Sequence, residues 1–294
     1  MNWVIMPVLD NLEQSIQALS DACNQSIPTK VLVINQGSSN ETRRRLEALA
    51  EEHDQQILLW SFDPALPSLS AVWNRALDFV WELGGTEALV INNDIRLDTD
   101  TYQTLLNGLR YCLGPEYTLV ENLFVSAVGV TAEQFEERRR HDEHILYTGD
   151  RGGPDFSCFL ISKACHQQFR FDEGFIPAFC EDLDFHRRVM LGGLGDQIFS
   201  INLPFAHLGS QTLKTMDPKK REAVERQISG ISRKHYREKW GGEVNQETYW
   251  SAYDNKEGEI LEGTPLYQAS GPTTPELQAY VSTVRTSIPS QPEF

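Results

Sequence analysis

The stretch Ala88-Leu89-Val90-Ile91-Asn92-Asn93-Asp94 joins an apolar run to three polar residues. An unbroken apolar run of this length is typical of a strand whose two faces are both covered, as in parallel sheets. Asn and Asp favour turns, so they indicate where the strand ends. The sequence therefore predicts a buried strand at 88–91 whose carboxyl end carries amide and carboxylate groups.

The same rhythm of a short apolar run followed by an amphipathic stretch fills the first 110 residues. Strands are predicted at 3–8, 31–34, 57–62 and 88–91. Helices are predicted after them, beginning near residues 10, 40, 69 and 98. Asp10 and Glu13 have the spacing of a capping box at the first helix. Repeated βα units with right-handed crossovers predict a doubly wound α/β sheet, which binds ligands beyond the carboxyl ends of its strands.

The second half of the chain is less regular. Strands are predicted within 120–130 and at 156–161, and short apolar runs follow at 198–203. Helices are predicted at 181–190 and 218–240, and the charged segment 133–144 is interpreted as a solvated helix or a mobile loop. From about residue 262 the chain is rich in Pro, Ser and Thr, which predicts an extended or disordered tail over 262–294.

Composition and charge restrict the classes of function. The 294 residues carry a formal net charge of -16, which disfavours stable binding to the phosphate backbone of unmodified nucleic acid. Five scattered cysteines without a CxxC pair predict reduced core thiols rather than disulfides or a zinc site. No apolar run approaches the roughly 20 residues that span a bilayer. A strand that begins at Trp3 leaves no room for a signal peptide, so a cytoplasmic location is expected.

Asp94, with Asn92 and Asn93 before it, is the first group that could carry chemistry. A carboxylate just past a buried strand, on the ligand side of the sheet, is well placed to hold a hard cation such as Mg²⁺ or Mn²⁺. A plain turn would use the same residue types, so both interpretations stay open.

Two further groups lie in the second half. The carboxylates of Glu181-Asp182-Leu183-Asp184 either favour the positive end of a helix dipole or include a general base, because close carboxylates raise one another's pKa. His207 follows a short apolar run and leads into a polar loop. A lone histidine is more often structural, but this position leaves a ligand role open.

The order and spacing of these groups resemble the family 2 inverting glycosyltransferases, which have the GT-A fold, and especially their rhamnosyltransferase-like branch. The similarity spans roughly residues 3 to 250. Its motifs are a first strand ending in proline (Val4–Pro7), a second-strand motif (Val31–Asn40), a helix with an asparagine near the nucleotide (Ser70–Ala76), a DxD-like segment (Leu89–Asp94), an "FDE…ED.D" block (Phe171–Asp184) and a "KWGG" segment (Lys239–Gly242).

The resemblance implies a GT-A domain over 1–261, with a doubly wound mixed sheet, a nucleotide-binding half at about 1–115 and an acceptor half at about 116–261. It implies that Asp94 and His207 bind Mn²⁺ or Mg²⁺, and that Asp182, with Glu181 beside it, is the catalytic base. The residues implied to bind the nucleotide sugar are Pro7, Val8, Asn35, Gln36, Asn74, Asn92 and Asn93. The implied donor is a UDP-, dTDP- or GDP-sugar. The implied acceptor is a glycan, a lipid-linked glycan or another molecule with a hydroxyl group. Whether the protein forms a homo-oligomer stays open.

Two departures from the family pattern keep alternatives open. Asn35 replaces the usual Asp that contacts the base, and Asn92 replaces the first acid of DxD. Both substitutions favour a non-catalytic nucleotide-sugar or glycan-binding protein on a decayed transferase scaffold. A sugar-phosphate nucleotidyltransferase would need a Gly-rich phosphate loop with a basic residue after the first strand, where this chain has Pro7-Val8-Leu9-Asp10-Asn11.

Overall fold

The computed structural model of the protein describes residues 1–108, 124–138, 146–148, 155–189, 191, 198–209, 213–214 and 216–253. The predicted tail at 262–294 and the later part of the charged segment lie outside the described residues. The strands are β1 (Asn2–Val8), β2 (Thr29–Gln36), β3 (Ile57–Phe62), β4 (Glu87–Ile91), β5 (Ile95–Arg96), β6 (Phe124–Val130), β7 (Leu146–Thr148), β8 (Cys158–Ser162) and β9 (Ile198–His207). The helices are α1 (Leu12–Cys23), α2 (Asn40–Glu52), α3 (Leu69–Glu82), α4 (Thr101–Leu106), α5 (Ala132–Arg138), α6 (Lys163–Gln168), α7 (Glu181–Val189), α8 (Pro218–Gln227) and α9 (Arg233–Trp240), with a π-helical turn (Ile228–Ser232) before α9.

The nine described strands form one mixed sheet in the order β3-β2-β1-β4-β8-β6-β9-β5, and β7 also pairs with β9. The first four strands along the chain are parallel to one another, as the βα rhythm predicts. β8 then runs antiparallel to both of its neighbours, and β5 runs antiparallel to β9. The predicted doubly wound mixed sheet is therefore confirmed.

Helices cover both faces of the sheet, and the strand period of two decides which residue faces which layer. In β1, Val4 and Met6 pack in a core with residues of α1, α2 and α4. Trp3 and Ile5 pack in a second core with residues of α3, α6 and α7. Because β1 is buried on both faces, it reads as a continuous apolar run rather than an alternating one.

The connection after β1 differs from the predicted capping box. Asp10 and Asn11 both have left-handed backbone, with φ of 54° and 53°. Asn11 precedes α1 without a side-chain cap hydrogen bond. The Asp10 carboxylate instead accepts the backbone N–H of Ser39 at 2.8 Å. The capping-box prediction is wrong because the left-handed turn directs Asp10 away from α1 and onto the turn after β2.

Two features of the described part of the chain bear on the predictions from composition. Cys23, Cys158, Cys165 and Cys180 are free thiols, and burial raises the pKa of Cys165 to about 12, which keeps it protonated at neutral pH. Cys112 lies outside the described residues. Within the described ranges, no helix has both the length and the apolar character needed to cross a membrane.

A buried ion-pair network holds α9 against α7. The Lys239 ammonium lies 2.5 Å from the Asp172 carboxylate and 2.8 Å from that of Asp184. Asp184 is fully buried and also accepts hydrogen bonds from Arg188 and from the indole N–H of Trp240. Burial would raise the pKa of Asp172, but hydrogen bonds from His235, Lys239 and the Gly174 N–H outweigh it and hold that pKa well below its usual range.

We predict that Lys239→Met lowers the free energy of unfolding by about 3 kcal/mol, because it leaves two carboxylates in the interior without their shared cation. Lys234→Met on the same helix is the control, since Lys234 is exposed and its ion pair with Glu238, one turn away, lies at the surface. Urea denaturation of both variants measures the difference. Equal stabilities would show that the network does not hold α9 in place.

Candidate functional site

A cleft with a volume of about 540 Å³ lies at the carboxyl ends of β1, β2 and β4. This is the point where the strand order reverses, because β2 lies on one side of β1 and β4 on the other. The strand ends contribute Pro7, Val8, Leu9, Gln36, Asn92, Asn93 and Asp94 to its lining. The rest of the lining includes Glu181, Asp182 and His207, so nine of the eleven predicted site residues meet in one cleft.

Asn35, one of the two predicted site residues outside this lining, is buried near the end of β2. Its side-chain oxygen accepts the backbone N–H of Ser38 at 3.1 Å. Its amide N–H₂ group donates to the Ser61 hydroxyl at 3.3 Å. Both ends of the amide are therefore occupied by the protein's own turn and by the neighbouring strand β3.

Asn74 is the other predicted site residue outside the lining. It lies on α3 and hydrogen-bonds the segment that begins at Phe171. Its amide N–H₂ group donates to Phe171 O and to Glu173, both at 2.9 Å, and its oxygen accepts the Phe171 N–H. His166 lies 3.0 Å from the same oxygen, and its other ring nitrogen accepts the indole N–H of Trp81. An indole can only donate, so Nε2 of His166 carries the proton. Burial lowers the pKa of His166 to about 4, which keeps the ring neutral at pH 7.

Asn93 and Asp94 form the turn between β4 and β5, so the turn interpretation describes their backbone. Asn93 donates to the Ser15 hydroxyl at 2.8 Å and to Asp10 O at 3.3 Å. These bonds tie the end of β4 to the start of α1. They fix the backbone that presents Asp94, which is buried and lines the cleft.

The pairing of β5 with β9 brings Asp94 and His207 together across 113 residues of sequence. Ile95 lies opposite His207 in the antiparallel register. The Leu208 N–H donates to Asp94 O at 3.0 Å. His207 Nε2 consequently lies 3.7 Å from the Asp94 carboxylate, and its Nδ1 lies 3.5 Å from the Ser157 hydroxyl.

Asp94 and His207 suit a divalent cation such as Mn²⁺ in donor chemistry, since they offer one carboxylate oxygen and one imidazole nitrogen. Within the described ranges, no three His, Cys, Asp or Glu side chains are grouped as a metal site. Two protein ligands leave most of an octahedral shell open. Such a cation would therefore take its other ligands from water or from a bound anion.

Glu181 and Asp182 begin α7 beside the cleft. Burial, followed by the charge of Asp182, raises the pKa of Glu181 to about 8. Burial also raises the pKa of Asp182, whose Oδ1 accepts the Leu183 N–H at 2.8 Å. A pKa above 7 keeps Glu181 protonated at neutral pH. Asp182 is the less buried of the two, so it is the better candidate for a base that an acceptor can reach.

The two residues before this pair have strained backbones. Phe179 and Cys180 have φ of 75° and 72°, a left-handed conformation that costs non-glycine residues about 1 to 3 kcal/mol each. Neighbouring elements hold the segment: the Ser232 hydroxyl donates to Ile176 O and Ala178 O, and the Leu69 N–H donates to Pro177 O. As a result Cys180 packs in the interior, while Phe179 stays 46% exposed at the cleft.

Comparison with solved structures identifies the fold. The chain is similar to the mannosyltransferase PcManGT from Pyrobaculum calidifontis, solved with GDP-Man and Mn²⁺ (TM-score 0.50, 14% identity, 68% of this chain and 56% of that chain). It is also similar to GalNAc-T7, solved with UDP, GalNAc and Mn²⁺ (0.54, 9%, 70% and 43%), and to S. aureus TarS 1-349 with UDP-GlcNAc (0.50, 14%, 78% and 65%).

The chain has the GT-A glycosyltransferase fold. It spans less than two thirds of each of these three proteins. No protein-family model and no curated protein matches its sequence.

Within this GT-A cleft, several lining residues were not predicted from the sequence. Asp155, Phe156 and Ser157 precede β8, and Asp155 accepts the Ser157 N–H at 2.8 Å. The predicted strand at 156–161 includes two of them, but neither the period nor a motif marks the three as cleft residues. Further unpredicted lining residues include apolar side chains of the segment before and within α8 and the π-helical turn, namely Leu213, Met216, Val224 and Ile228.

The raised pKa of Glu181 predicts a pH-dependent stability. In the unfolded chain this side chain has the ordinary glutamate pKa of 4.5, whereas in the folded chain its pKa is about 8. Between these values unfolding releases a proton, so the stability that the protonated side chain contributes falls as pH rises. Glu181→Gln removes this effect. The variant should gain stability relative to the native chain between pH 5 and pH 8.

Urea denaturation across this pH range measures that difference. Glu222→Gln, at an exposed glutamate of α8, is the control and should show a constant difference. A constant difference for Glu181→Gln as well would mean that this carboxyl is not held protonated by its surroundings.

Proposed function

We propose that this protein is an inverting glycosyltransferase that moves a sugar from a nucleotide-diphosphate donor to an acceptor hydroxyl. The observation that carries the proposal is a single cleft of a GT-A fold that contains the Asp94–His207 pair and the Glu181–Asp182 pair. The first pair suits the diphosphate when it holds a divalent cation. The second pair suits the hydroxyl of the acceptor.

The charge of the cleft supports a divalent cation with the donor. Of the described residues that line it, four are carboxylic acids (Asp94, Asp155, Glu181 and Asp182) and none is Lys or Arg. A diphosphate would therefore meet like charge along this described lining. Mn²⁺ or Mg²⁺ held by Asp94 and His207, when bound, neutralises the charge of the leaving diphosphate. The GT-A proteins PcManGT and GalNAc-T7 were both solved with Mn²⁺.

The donor nucleotide lies along the strand ends in this proposal. Pro7, Val8 and Gln36 line the cleft at the ends of β1 and β2, and Asn92 lines it at the end of β4. Asn93 contributes by bracing the turn that presents Asp94, since its amide donates to Ser15 and Asp10. Asn35 and Asn74 are not assigned to donor binding, because hydrogen bonds within the protein occupy their amides.

Asp182 acts as the general base. Its carboxylate takes the proton from the acceptor hydroxyl while the oxygen attacks the anomeric carbon and the diphosphate leaves. One direct displacement from the face opposite the leaving group inverts the anomeric configuration. Glu181, protonated at neutral pH, donates a hydrogen bond rather than accepting a proton. The strained segment before it fixes the start of α7 and so positions the pair.

The replacement of an acid by Asn92 favours one second candidate, a protein that binds the nucleotide sugar and never turns it over. Incubation of the full chain with UDP-GlcNAc or GDP-Man and MnCl₂, without an acceptor, separates the two candidates. A transferase releases free sugar slowly as water replaces the acceptor. A binding protein protects the donor from hydrolysis.

We predict that Asp94→Ala abolishes the Mn²⁺ dependence of nucleoside-diphosphate binding and leaves the fold nearly unchanged. Asp94 lies in a turn at the open end of the sheet, so its loss removes a cation ligand rather than core packing. Calorimetric titration of UDP and GDP with and without MnCl₂ makes the measurement. Asp100→Asn is the control, because Asp100 is exposed before α4 and makes no side-chain cap. Unaltered Mn²⁺ dependence in Asp94→Ala would place the cation elsewhere.

We predict that Asp182→Asn lowers transfer by about 10² to 10⁴ without weakening donor binding, since the amide keeps the size of the side chain but cannot accept the proton. Glu181→Gln should lower transfer less, because a protonated glutamate and a glutamine both donate. Single-turnover transfer and donor affinity are measured side by side for both variants. A nearly normal Asp182→Asn beside an inactive Glu181→Gln would move the base to Glu181.

A further inference from the structure

The Gln36 side chain at the end of β2 has a fixed orientation. Its Oε1 accepts the backbone N–H of Leu66 at 3.0 Å. A backbone N–H can only donate, so the atom that faces Leu66 must be the oxygen. The other end of the amide is therefore the N–H₂ group, which can only donate.

That N–H₂ group has no hydrogen-bond partner among the described residues. Gln36 is 8% exposed, so water does not freely compensate for the missing bond. A buried donor left without an acceptor costs about 1 to 3 kcal/mol. Gln36 lines the cleft together with Ala65, Leu66 and the end of β1, so a ligand bound there is the natural source of the acceptor.

The position of Gln36 in the sheet suits the nucleobase. β2 lies two strands from β4 in the sheet order, and Asp94 follows β4. Adjacent strands are about 4.8 Å apart, so the two strand ends are separated by about 10 Å. A diphosphate near Asp94 and a base near Gln36 leave the space between them for the ribose.

We infer that Gln36 selects the donor's base by donating a hydrogen bond to the carbonyl oxygen at position 4 of a pyrimidine or position 6 of a purine. This inference rests on the proposed function. It assigns the donor to the bases that carry a carbonyl at the position reached by Gln36, which are uracil and thymine at O4 or guanine at O6. Cytosine and adenine carry an amino group at the equivalent position, and that group would face the Gln36 donors without an acceptor.

Gln167 provides a matched control away from the cleft. It is exposed on α6 and does not line the cleft. Gln167→Glu makes the same change from an amide to a carboxylate as the test variant below. This variant should therefore leave the base preference of the native chain unchanged.

Gln36→Glu reverses the hydrogen-bonding polarity at almost constant shape. One carboxylate oxygen keeps the bond from Leu66, while the other replaces the donor with an acceptor. That acceptor repels a base carbonyl and accepts from a base amino group. The affinity for the carbonyl base should fall by about 10-fold or more, and the affinity for its amino counterpart should rise.

The test titrates the full native chain and both variants with two pairs of nucleoside diphosphates in the presence of MnCl₂ at pH 8. UDP against CDP compares a carbonyl with an amino group at position 4, and GDP against ADP compares them at position 6. We expect the native chain and Gln167→Glu to prefer the carbonyl member of at least one pair by about 10-fold, the worth of one buried hydrogen bond. Gln36→Glu should reverse that preference.

Equal affinity of the native chain for both members of each pair would overturn the inference while leaving the proposed function intact. A preference that Gln36→Glu preserves would also overturn it. If Gln36→Glu does not fold, Gln36→Met decides, because an apolar side chain of similar length should abolish the preference without reversing it. A native chain that binds neither these four diphosphates nor dTDP would refute the proposed function itself.

Discussion

The parallel pairing of β1 with both β2 and β4 is the constraint on which the cleft depends. Parallel strands end at the same edge of a sheet, so this pairing aligns the residues after all three strands. Because helices cover both faces, polar groups of the strands have access to solvent only at that edge. Gln36, Pro7 and Asp94 therefore meet in one cleft although 58 residues separate Gln36 from Asp94.

The antiparallel part of the sheet brings further charged and polar side chains to the cleft. β5 is only two residues long, yet its pairing with β9 carries His207 to Asp94. Asp155 and Ser157, just before β8, line the same cleft. The result is a site that combines carboxylates from distant parts of the chain, and such a concentration of like charge is stable only with a cation, with protonation or with pairing.

The carboxyl groups between Asp172 and Asp184 are stabilised in two of these ways. Glu181 is kept protonated by burial, whereas Asp172 and Asp184 are paired with Lys239. The strained residues Phe179 and Cys180 directly precede Glu181. Their backbone persists because Ser232 hydrogen-bonds the segment and α9 packs against Cys180, so contacts behind the cleft stabilise the geometry within it.

The sequence by itself determined the βα rhythm, the buried strands and the residue types at the strand ends, because hydrophobic period and turn preference act over a few neighbouring residues. Nine of the eleven residues that it nominated for the site line one cleft. Only the tertiary structure decided that the Asn35 and Asn74 amides are occupied inside the protein, that Asp10 does not cap α1, and that Asp155 and apolar side chains such as Leu213 and Ile228 belong to the cleft lining. Those outcomes depend on hydrogen-bond partners and burial between segments far apart in the chain, and no local pattern in the sequence records such distances.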